Sequence, residues 1–208
     1  MGSHLDCSDW DYETHPEHKK LRKACDRLTG MAKKWPRKFD RFGVDTRPGH
    51  RLLFKRFAPP ACSCFAGTYR GSKTCPALEH YFCGVRGTSV GMPPAYVEAC
   101  MAMLNTRCQN LLDMYAASVR VGTVSPAASF GMLIDVLCDI LEGFFTVHPF
   151  ANGNGHAGRM LVWVLLARHG FAPKSWSIDA KQPYAKALDL YRAGNHAPLR
   201  LFLTRLAR

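Results

Sequence analysis

Apolar residues recur at helical spacing along much of the chain. From His18 to about Lys34 they fall three or four positions apart, with charged residues between them. The same spacing returns from Ala95 to about Val119. Because a helix brings such positions onto one face, both segments are predicted to be amphipathic helices.

A third segment is apolar on almost every side. It begins at Ser125, a favourable N-cap residue, and continues with Pro126, which suits the first helical position. It ends before Pro149, because a proline ring disfavours helical geometry in the preceding residue. A helix without a polar face is typical of a core, so this one is predicted to be central and buried.

The C-terminal part also has helical spacing. Residues 156–170, "HAGRMLVWVLLARHG", predict another buried helix that ends at Gly170. Two shorter amphipathic helices are predicted within residues 183–194 and 197–208.

The remaining segments are rich in glycine and proline. Prolines at positions 36, 48, 59 and 60 predict a loop-rich connection, and Gly67 and Gly71 predict turns. Residues 78–94 predict a strand, a glycine turn and a second short strand. The predicted fold class is mainly α, a helical bundle with a small β-hairpin. Residues 1–60 form a basic, partly helical N-terminal extension in this scheme, and residues 61–208 form the main domain.

Composition narrows the class of protein. Of the 208 residues, 47% are hydrophobic, which excludes a globally disordered chain. No run of about 18 apolar residues occurs, so no membrane span is expected.

The formal net charge of +12 is concentrated in residues 18–42. Such a segment could bind nucleic acid, an anionic membrane surface or an acidic protein, although a solvated helix face is the simplest interpretation. Because no recognised nucleic-acid motif accompanies the charge, nucleic acid is not expected as a partner.

The chain has nine cysteines, of which Cys62, Cys64, Cys75 and Cys83 cluster in sequence. A zinc site that also uses His80 is one interpretation. The spacing lacks the paired C-x2-C pattern of zinc sites, so scattered reduced thiols are the favoured interpretation.

Residues 148–159, "HPFANGNGHAGR", combine three kinds of chemistry. Gly153, Asn154 and Gly155 precede a predicted helix whose first N–H groups lack internal partners and can bind phosphate. Arg159 can bind a second phosphate through its guanidinium group. His148 has a pKa range suited to taking a proton from a hydroxyl. A base, an anion site and a cation are typical of phosphoryl or nucleotidyl transfer.

This segment resembles the motif of the Fic family, His-Pro-Phe-x-(Asp/Glu)-Gly-Asn-(Gly/Lys)-Arg-x-x-Arg. The likeness extends over about residues 65–205. It includes the "GTYR" segment 67–70, a hairpin "flap" at residues 78–91, and an apolar helix that ends in glycine. The resemblance implies a Fic-like helical bundle with a β-hairpin flap.

The resemblance also implies an activity, because most family members transfer AMP from ATP, with Mg²⁺, to a protein hydroxyl. The chain is thus expected to be a nucleotidyltransferase, similar to a protein adenylyltransferase, that acts on Ser, Thr or Tyr of a target protein. His148 would be the general base, Phe150 would lock the loop, and Arg159 would bind the outer phosphate. Gly153, Asn154 and Gly155 would hold the donor phosphates, with Asn154 and Arg159 counted among the catalytic residues. The flap would bind the target as an added strand through Glu79, His80, Tyr81, Phe82 and Val85.

Two positions depart from the family motif. Asn152 replaces the acidic residue that holds Mg²⁺, so the metal is expected to bind weakly. His156 replaces the first arginine beside the phosphates. Weak metal use, a different donor and loss of catalysis all remain open. Gly155 argues against the phosphorylating branch of the family, whereas a diphosphate-linked donor, as in the phosphocholine-transferring branch, is an alternative. A degenerate domain that binds without turnover is another.

The inhibitory family signature, Ser/Thr-x-x-x-Glu-Gly/Asn, is not found near Glu13 or Glu17. Inhibition is therefore expected from a separate partner, or the enzyme is ungated. The expected location is the cytoplasm, or a host cell into which the protein is delivered as an effector.

Overall fold

The structure is a computed structural model. It describes residues 7, 10–35, 45–58, 60–85, 88–122, 124–171, 173, 178–179 and 184–207, and of residues 84, 85, 88 and 89 it describes the backbone only.

The described part of the chain is mainly helical, as predicted. The helices are α1 (Lys20–Lys34), α2 (Arg47–Phe54), α3 (Pro76–Glu79), α4 (Pro94–Arg120), α5 (Pro126–Val147), α6 (Asn154–Arg168), α7 (Ala185–Arg192) and α8 (Ala197–Ala207). Strands β1 (Cys83–Val85) and β2 (Thr88–Val90) pair antiparallel, with Cys83 opposite Val90. Short 3-10 turns cover Tyr12–Thr14 and Pro60–Phe65.

Helices α5 and α6 form the centre of the bundle, and the glycine-rich segment joins them. The Ser125 side chain accepts a hydrogen bond from Ala128 N–H, so Ser125 is the N-cap of α5 as predicted. Helix α5 packs against α4, α6 and α8, and residues 156–167 of α6 are all buried. Helix α5 keeps an acidic edge of Asp135, Asp139 and Glu142, which pairs with Arg200, Arg107 and Arg192.

The prediction of a loop around Pro48 is wrong, because helix α2 lies there. Pro48 stands in the first turn, where its missing N–H is not needed for a helical hydrogen bond. The helix buries His50, Leu53 and Phe54. Pro36 and Pro59 lie outside the described residues.

The N-terminal region shares the core of the bundle. Helices α1 and α2 pack against α6, and Trp10 contacts Phe54 and Phe65 edge to face. The Trp10 indole N–H donates to the Phe57 carbonyl at 2.9 Å. The basic side chains of α1 lie opposite its buried face of Leu21, Cys25, Leu28 and Ala32.

The prediction of reduced thiols is wrong for four cysteines. Cys7 pairs with Cys62 and Cys64 with Cys75, at Cα separations of 5.6 and 5.9 Å, within the range for disulfides. Sequence spacing could not reveal the pairing, since the fold brings Cys7 to a residue 55 positions away. The pairing also excludes a zinc site built from the four clustered cysteines. Cys83 stays free and donates to the Phe150 carbonyl at 3.1 Å.

None of the helices in the described segments is long and apolar enough to cross a membrane.

The cysteine pairing predicts a thiol count. In denaturant without reductant, five cysteines should react with an alkylating reagent, and reduction should raise the number to nine. Intact-mass analysis before and after reduction measures both numbers. Alkylation of all nine without reductant would contradict the pairing.

Candidate active site

Arg70 connects the flap to the end of α5. Its side chain is fully buried, yet every guanidinium nitrogen donates to a backbone carbonyl. Nε and Nη2 donate to His148 O at 3.0 and 2.8 Å, and Nη2 also donates to Val147 O and Met92 O. Nη1 donates to Tyr81 O. A cation is favourable at the C-terminal end of a helix, so Arg70 both ends α5 and fixes the backbone of His148.

His148 has a left-handed backbone, with φ of 52°, at the C-terminal end of α5. Gly91 lies against it, and a Cβ at Gly91 would approach the His148 Cβ to 2.5 Å. Burial, followed by the nearby Arg70 charge, lowers the pKa of His148 to about 4. The imidazole is therefore neutral at physiological pH, which is the form that a general base requires.

An open groove of about 630 Å³ passes His148. Its walls are the end of the flap, Val90–Met92, and the start of α7 with Tyr184 and Leu188. The groove places His148 beside space large enough for a ligand or an extended peptide.

The flap begins later in the chain than predicted. Glu79 ends helix α3 and His80 caps it, because Pro76 starts a helical turn where a strand was expected. Tyr81 is half-buried and Phe82 is exposed, and both precede β1. The Val85 side chain lies outside the described residues. The flap residues that line the groove are Val90, Gly91 and Met92.

Phe150 is buried and locks the glycine-rich loop. It stacks on His50 with ring centroids 3.8 Å apart. The Asn154 side chain accepts from Phe150 N–H at 2.9 Å and donates to Phe150 O at 2.7 Å. The amide of Asn154 therefore shapes the loop, and only its backbone N–H faces the position expected for phosphate.

His50 is a positioning residue that the sequence did not reveal. Its Nδ1 accepts from Gly67 N–H at 3.0 Å, so its Nε2–H donates to Asn152 O at 2.9 Å. Complete burial lowers the pKa of His50 to about 3. The available signal was weak, since it consisted of a histidine four residues before Phe54 in an apparent loop.

Gly153 begins α6 with φ of 76°. A Cβ there would lie 2.5 Å from the Phe54 ring, so both the backbone geometry and the packing require glycine. The backbone N–H groups of Asn154, Gly155 and His156 belong to the first turn of α6 and lack intrahelical partners. The N-terminus of α6 therefore lies where the sequence predicts an anion site, and anion binding there stays a prediction.

The side chain of Asn152 binds its own chain. Its Oδ1 accepts from Gly153 N–H at 2.7 Å, and its Nδ2 donates to Trp10 O at 3.3 Å and to Asp11 Oδ1 at 3.2 Å. An N-terminal segment, defined here as residues 10–14, therefore lies against the loop.

His156 and Arg159 are buried beside the same segment. The His156 ring nitrogens contact Tyr12 Oη at 3.3 Å and Asp179 Oδ1 at 3.2 Å. Burial and the neighbouring Arg159 lower the pKa of His156 to about 4, against the opposing effect of Asp179. Arg159 donates to the Ile178 carbonyl and to Tyr184 Oη. The groups expected to bind phosphates lie together, but residues 10–14 and 178–179 cover them.

Comparison with solved structures identifies a similar fold. A Fic domain containing signaling protein from Bacteroides thetaiotaomicron VPI-5482 superimposes with a TM-score of 0.59 over 91% of this chain and 68% of the other, at 17% sequence identity. No family model matches the sequence, and neither does any curated protein.

The buried His50 should make the stability of the fold sensitive to acid. Its folded pKa lies below the unfolded value of about 6.5, so the unfolded chain takes up the proton first and stability falls as pH drops below about 6.5. The loss from His50 alone should be roughly 2–3 kcal/mol by about pH 4.5. Urea unfolding of His50→Gln should show a shallower pH slope than the parent. Exposed His18 provides the matched control, and an equally shallow slope for His18→Gln would refute the assignment.

Phe150→Ala should lower the free energy of unfolding by about 3–5 kcal/mol, because it removes a buried ring and its stack on His50. Thermal unfolding measures this change. Phe82→Ala, at an exposed aromatic position, should have little effect, and equal melting temperatures for the two variants would mean that Phe150 does not pack as described.

The contact between Asn152 and Asp11 predicts that mutations at these two positions have coupled effects on the free energy of unfolding. Asn152→Asp places a carboxylate against that of Asp11, so it should destabilise the protein. Asp11→Asn should restore a donor in the double variant. A double-mutant cycle in urea should give a coupling energy on the order of 0.5–3 kcal/mol. Additive effects of the two changes would contradict the placement of residues 10–14.

The fold, with its helical bundle and hairpin flap, is therefore Fic-like, similar to that of a solved protein that contains a Fic domain.

Proposed function

We propose that this chain is a Fic-type transferase that moves a nucleotide-derived group, AMP from ATP, to a hydroxyl of a target protein. The observation that carries the proposal is the neutral imidazole of His148, held beside an open groove and next to the N-terminus of α6. The fold supports it because it is similar to that of a solved protein that contains a Fic domain. The receiving side chain would be Ser, Thr or Tyr.

The chemistry follows from the groups present. His148 takes the proton as the target hydroxyl attacks the α-phosphorus of the donor. The bond from that phosphorus to the pyrophosphate leaving group then breaks. The N–H groups at the start of α6 stabilise the negative charge that develops on the phosphate oxygens. Arg159 would bind the outer phosphates.

A resident Mg²⁺ does not fit the loop. Asn152 offers one neutral oxygen, and that oxygen already accepts from Gly153 N–H. Mg²⁺ prefers carboxylates and donor phosphates as ligands, so no step here depends on a metal held by Asn152.

Nucleotide binding requires an exchange of contacts. Arg159 and His156 now bind Ile178, Tyr184, Tyr12 and Asp179. We infer that the donor phosphates replace residues 178–179 at Arg159, and that residues 10–14 move from the loop. Such self-contacts provide inhibition within the chain, an alternative to a separate inhibitory partner.

A second function has its own support. Because Arg159 and His156 already have partners in this chain, a non-catalytic Fic domain that binds a protein partner through the groove is the rival. A donor with a diphosphate linkage is a further alternative within the transferase class. Isothermal titration with ATP and Mg²⁺ separates the rival from the transferases, and intact-mass analysis of a modified target identifies the group transferred.

The disulfides bear on location. Disulfides persist in oxidising compartments and are rare in the cytosol. They support a protein that leaves the cytoplasm in which it is made, which agrees better with a delivered protein than with a resident one.

His148→Ala should reduce transfer by about 10²- to 10⁴-fold without loss of the fold. In the parent, transfer should stay constant as the pH falls from neutrality and decline near pH 4, because the base form of His148 exists above its pKa of about 4. Mass analysis of the target measures both effects. His18→Ala is the control, and a His148→Ala variant that transfers as fast as this control would refute the mechanism.

A further inference from the structure

Three side chains from distant parts of the chain meet beneath residues 10–14. Cys25 comes from α1, His156 from α6, and Asp179 from the turn at residues 178–179. Their ligand atoms all lie within 4.8 Å of one another. Cys25 and His156 are buried, whereas the Asp179 side chain is 33% exposed. We propose that Cys25, His156 and Asp179 bind a zinc ion and leave its fourth position open.

The hydrogen bonds of Tyr12 set the orientation of the His156 ring. Tyr12 Oη lies 3.3 Å from both Glu13 Oε1 and His156 Nδ1. A metal bound at Nε2 would select the tautomer in which Nδ1–H donates to the Tyr12 oxygen. This tautomer points the Nε2 lone pair towards Asp179, which is how a metal-binding histidine is commonly held by a neighbouring acceptor.

The distance between His156 and Asp179 fits a shared metal. Nε2 and Oδ1 are 3.2 Å apart. Two ligands with zinc bonds of about 2.0–2.2 Å stand roughly 3.4 Å apart in a tetrahedron. Nε2–H can donate to Oδ1 at this distance in the metal-free protein, and a zinc ion would take the place of that hydrogen.

The charges also balance. A zinc ion, the Cys25 thiolate and the Asp179 carboxylate sum to zero, so the buried site remains compatible with the neighbouring Arg159. Arg159 donates to the carbonyl of Ile178, next to Asp179, and thereby holds the turn that supplies the carboxylate. A set of one sulfur, one nitrogen and one oxygen ligand suits zinc better than Mg²⁺ or Ca²⁺.

The proposed metal site would account for the histidine at position 156. The resemblance places an arginine at this position, whereas a histidine can bind a metal ion. The open position of a three-ligand zinc site takes water or an anionic oxygen. The metal site does not depend on the proposed transfer reaction.

Cobalt substitution tests the proposal on the 208-residue chain. The metal-free protein is titrated with Co²⁺, whose thiolate charge-transfer band and intense visible bands report a tetrahedral site with a sulfur ligand. Zinc should displace these bands with a stoichiometry of one ion per chain. Cys25→Ser should remove the charge-transfer band, and Asp179→Asn should weaken Co²⁺ binding. Tyr12→Phe should weaken binding by about 10- to 100-fold.

Cys138→Ser is the matched control, because Cys138 is also a free, fully buried helical thiol. It should leave the cobalt spectrum unchanged. Melting temperatures of the metal-free variants show whether each one folds. If Cys25→Ser does not fold, Co²⁺ binding by Asp179→Asn tests the site. No cobalt bands in the parent, or bands that survive both Cys25→Ser and Asp179→Asn, would overturn the proposal.

Discussion

The candidate site depends on the hydrogen bonds of the buried Arg70 guanidinium group. The guanidinium group donates to the carbonyls of Tyr81, Met92, Val147 and His148. Tyr81 precedes β1, Met92 lies at the end of the flap, and Val147 and His148 lie at the end of α5. A buried charge is tolerated only when its donors are paired, and here each guanidinium nitrogen donates to a backbone carbonyl. One side chain therefore holds the flap and the backbone of His148 in a fixed relation. Gly91 lies close to His148 in this arrangement, and a Cβ at Gly91 would approach the His148 Cβ to 2.5 Å.

A second set of contacts fixes the glycine-rich loop that precedes α6. Phe150 stacks on His50, the Asn154 side chain closes the loop back to Phe150, and Gly153 admits the Phe54 ring. The residues of the motif therefore fall into two groups. Phe150 and Asn154 shape the loop from inside, whereas the first N–H groups of α6 lack intrahelical partners and His148 lines the groove. Helix α2 supplies both His50 and Phe54, so residues well before the motif help to form the site.

Much of the bundle could be predicted from the sequence because its helices are marked by strong local signals. Helix α5 has the Ser125 cap, Pro126 and a largely apolar pattern, and its observed bounds follow the predicted ones. Helix α2 was missed because Pro48 signals both a loop and a helix start. The pairs Cys7–Cys62 and Cys64–Cys75, and the contacts of His50, depend on tertiary proximity, which no local pattern contains. The motif predicted roles for His148 and the helix N-terminus, which stay predictions, but it could not reveal the partners of Asn152 and His156.

Those partners change the meaning of the two departures from the family motif. An aspartate at position 152 would face the carboxylate of Asp11 at about the present 3.2 Å separation, whereas the amide of Asn152 donates to it. An arginine at position 156 would lack the Nδ1 and Nε2 geometry that joins Tyr12 to Asp179. Each departure therefore matches a residue of the same chain outside the motif. Asn152 contacts Asp11 and His156 contacts Asp179, so both positions that depart from the motif have polar partners within residues 10–14 and 178–179, while His148 lies beside the open groove.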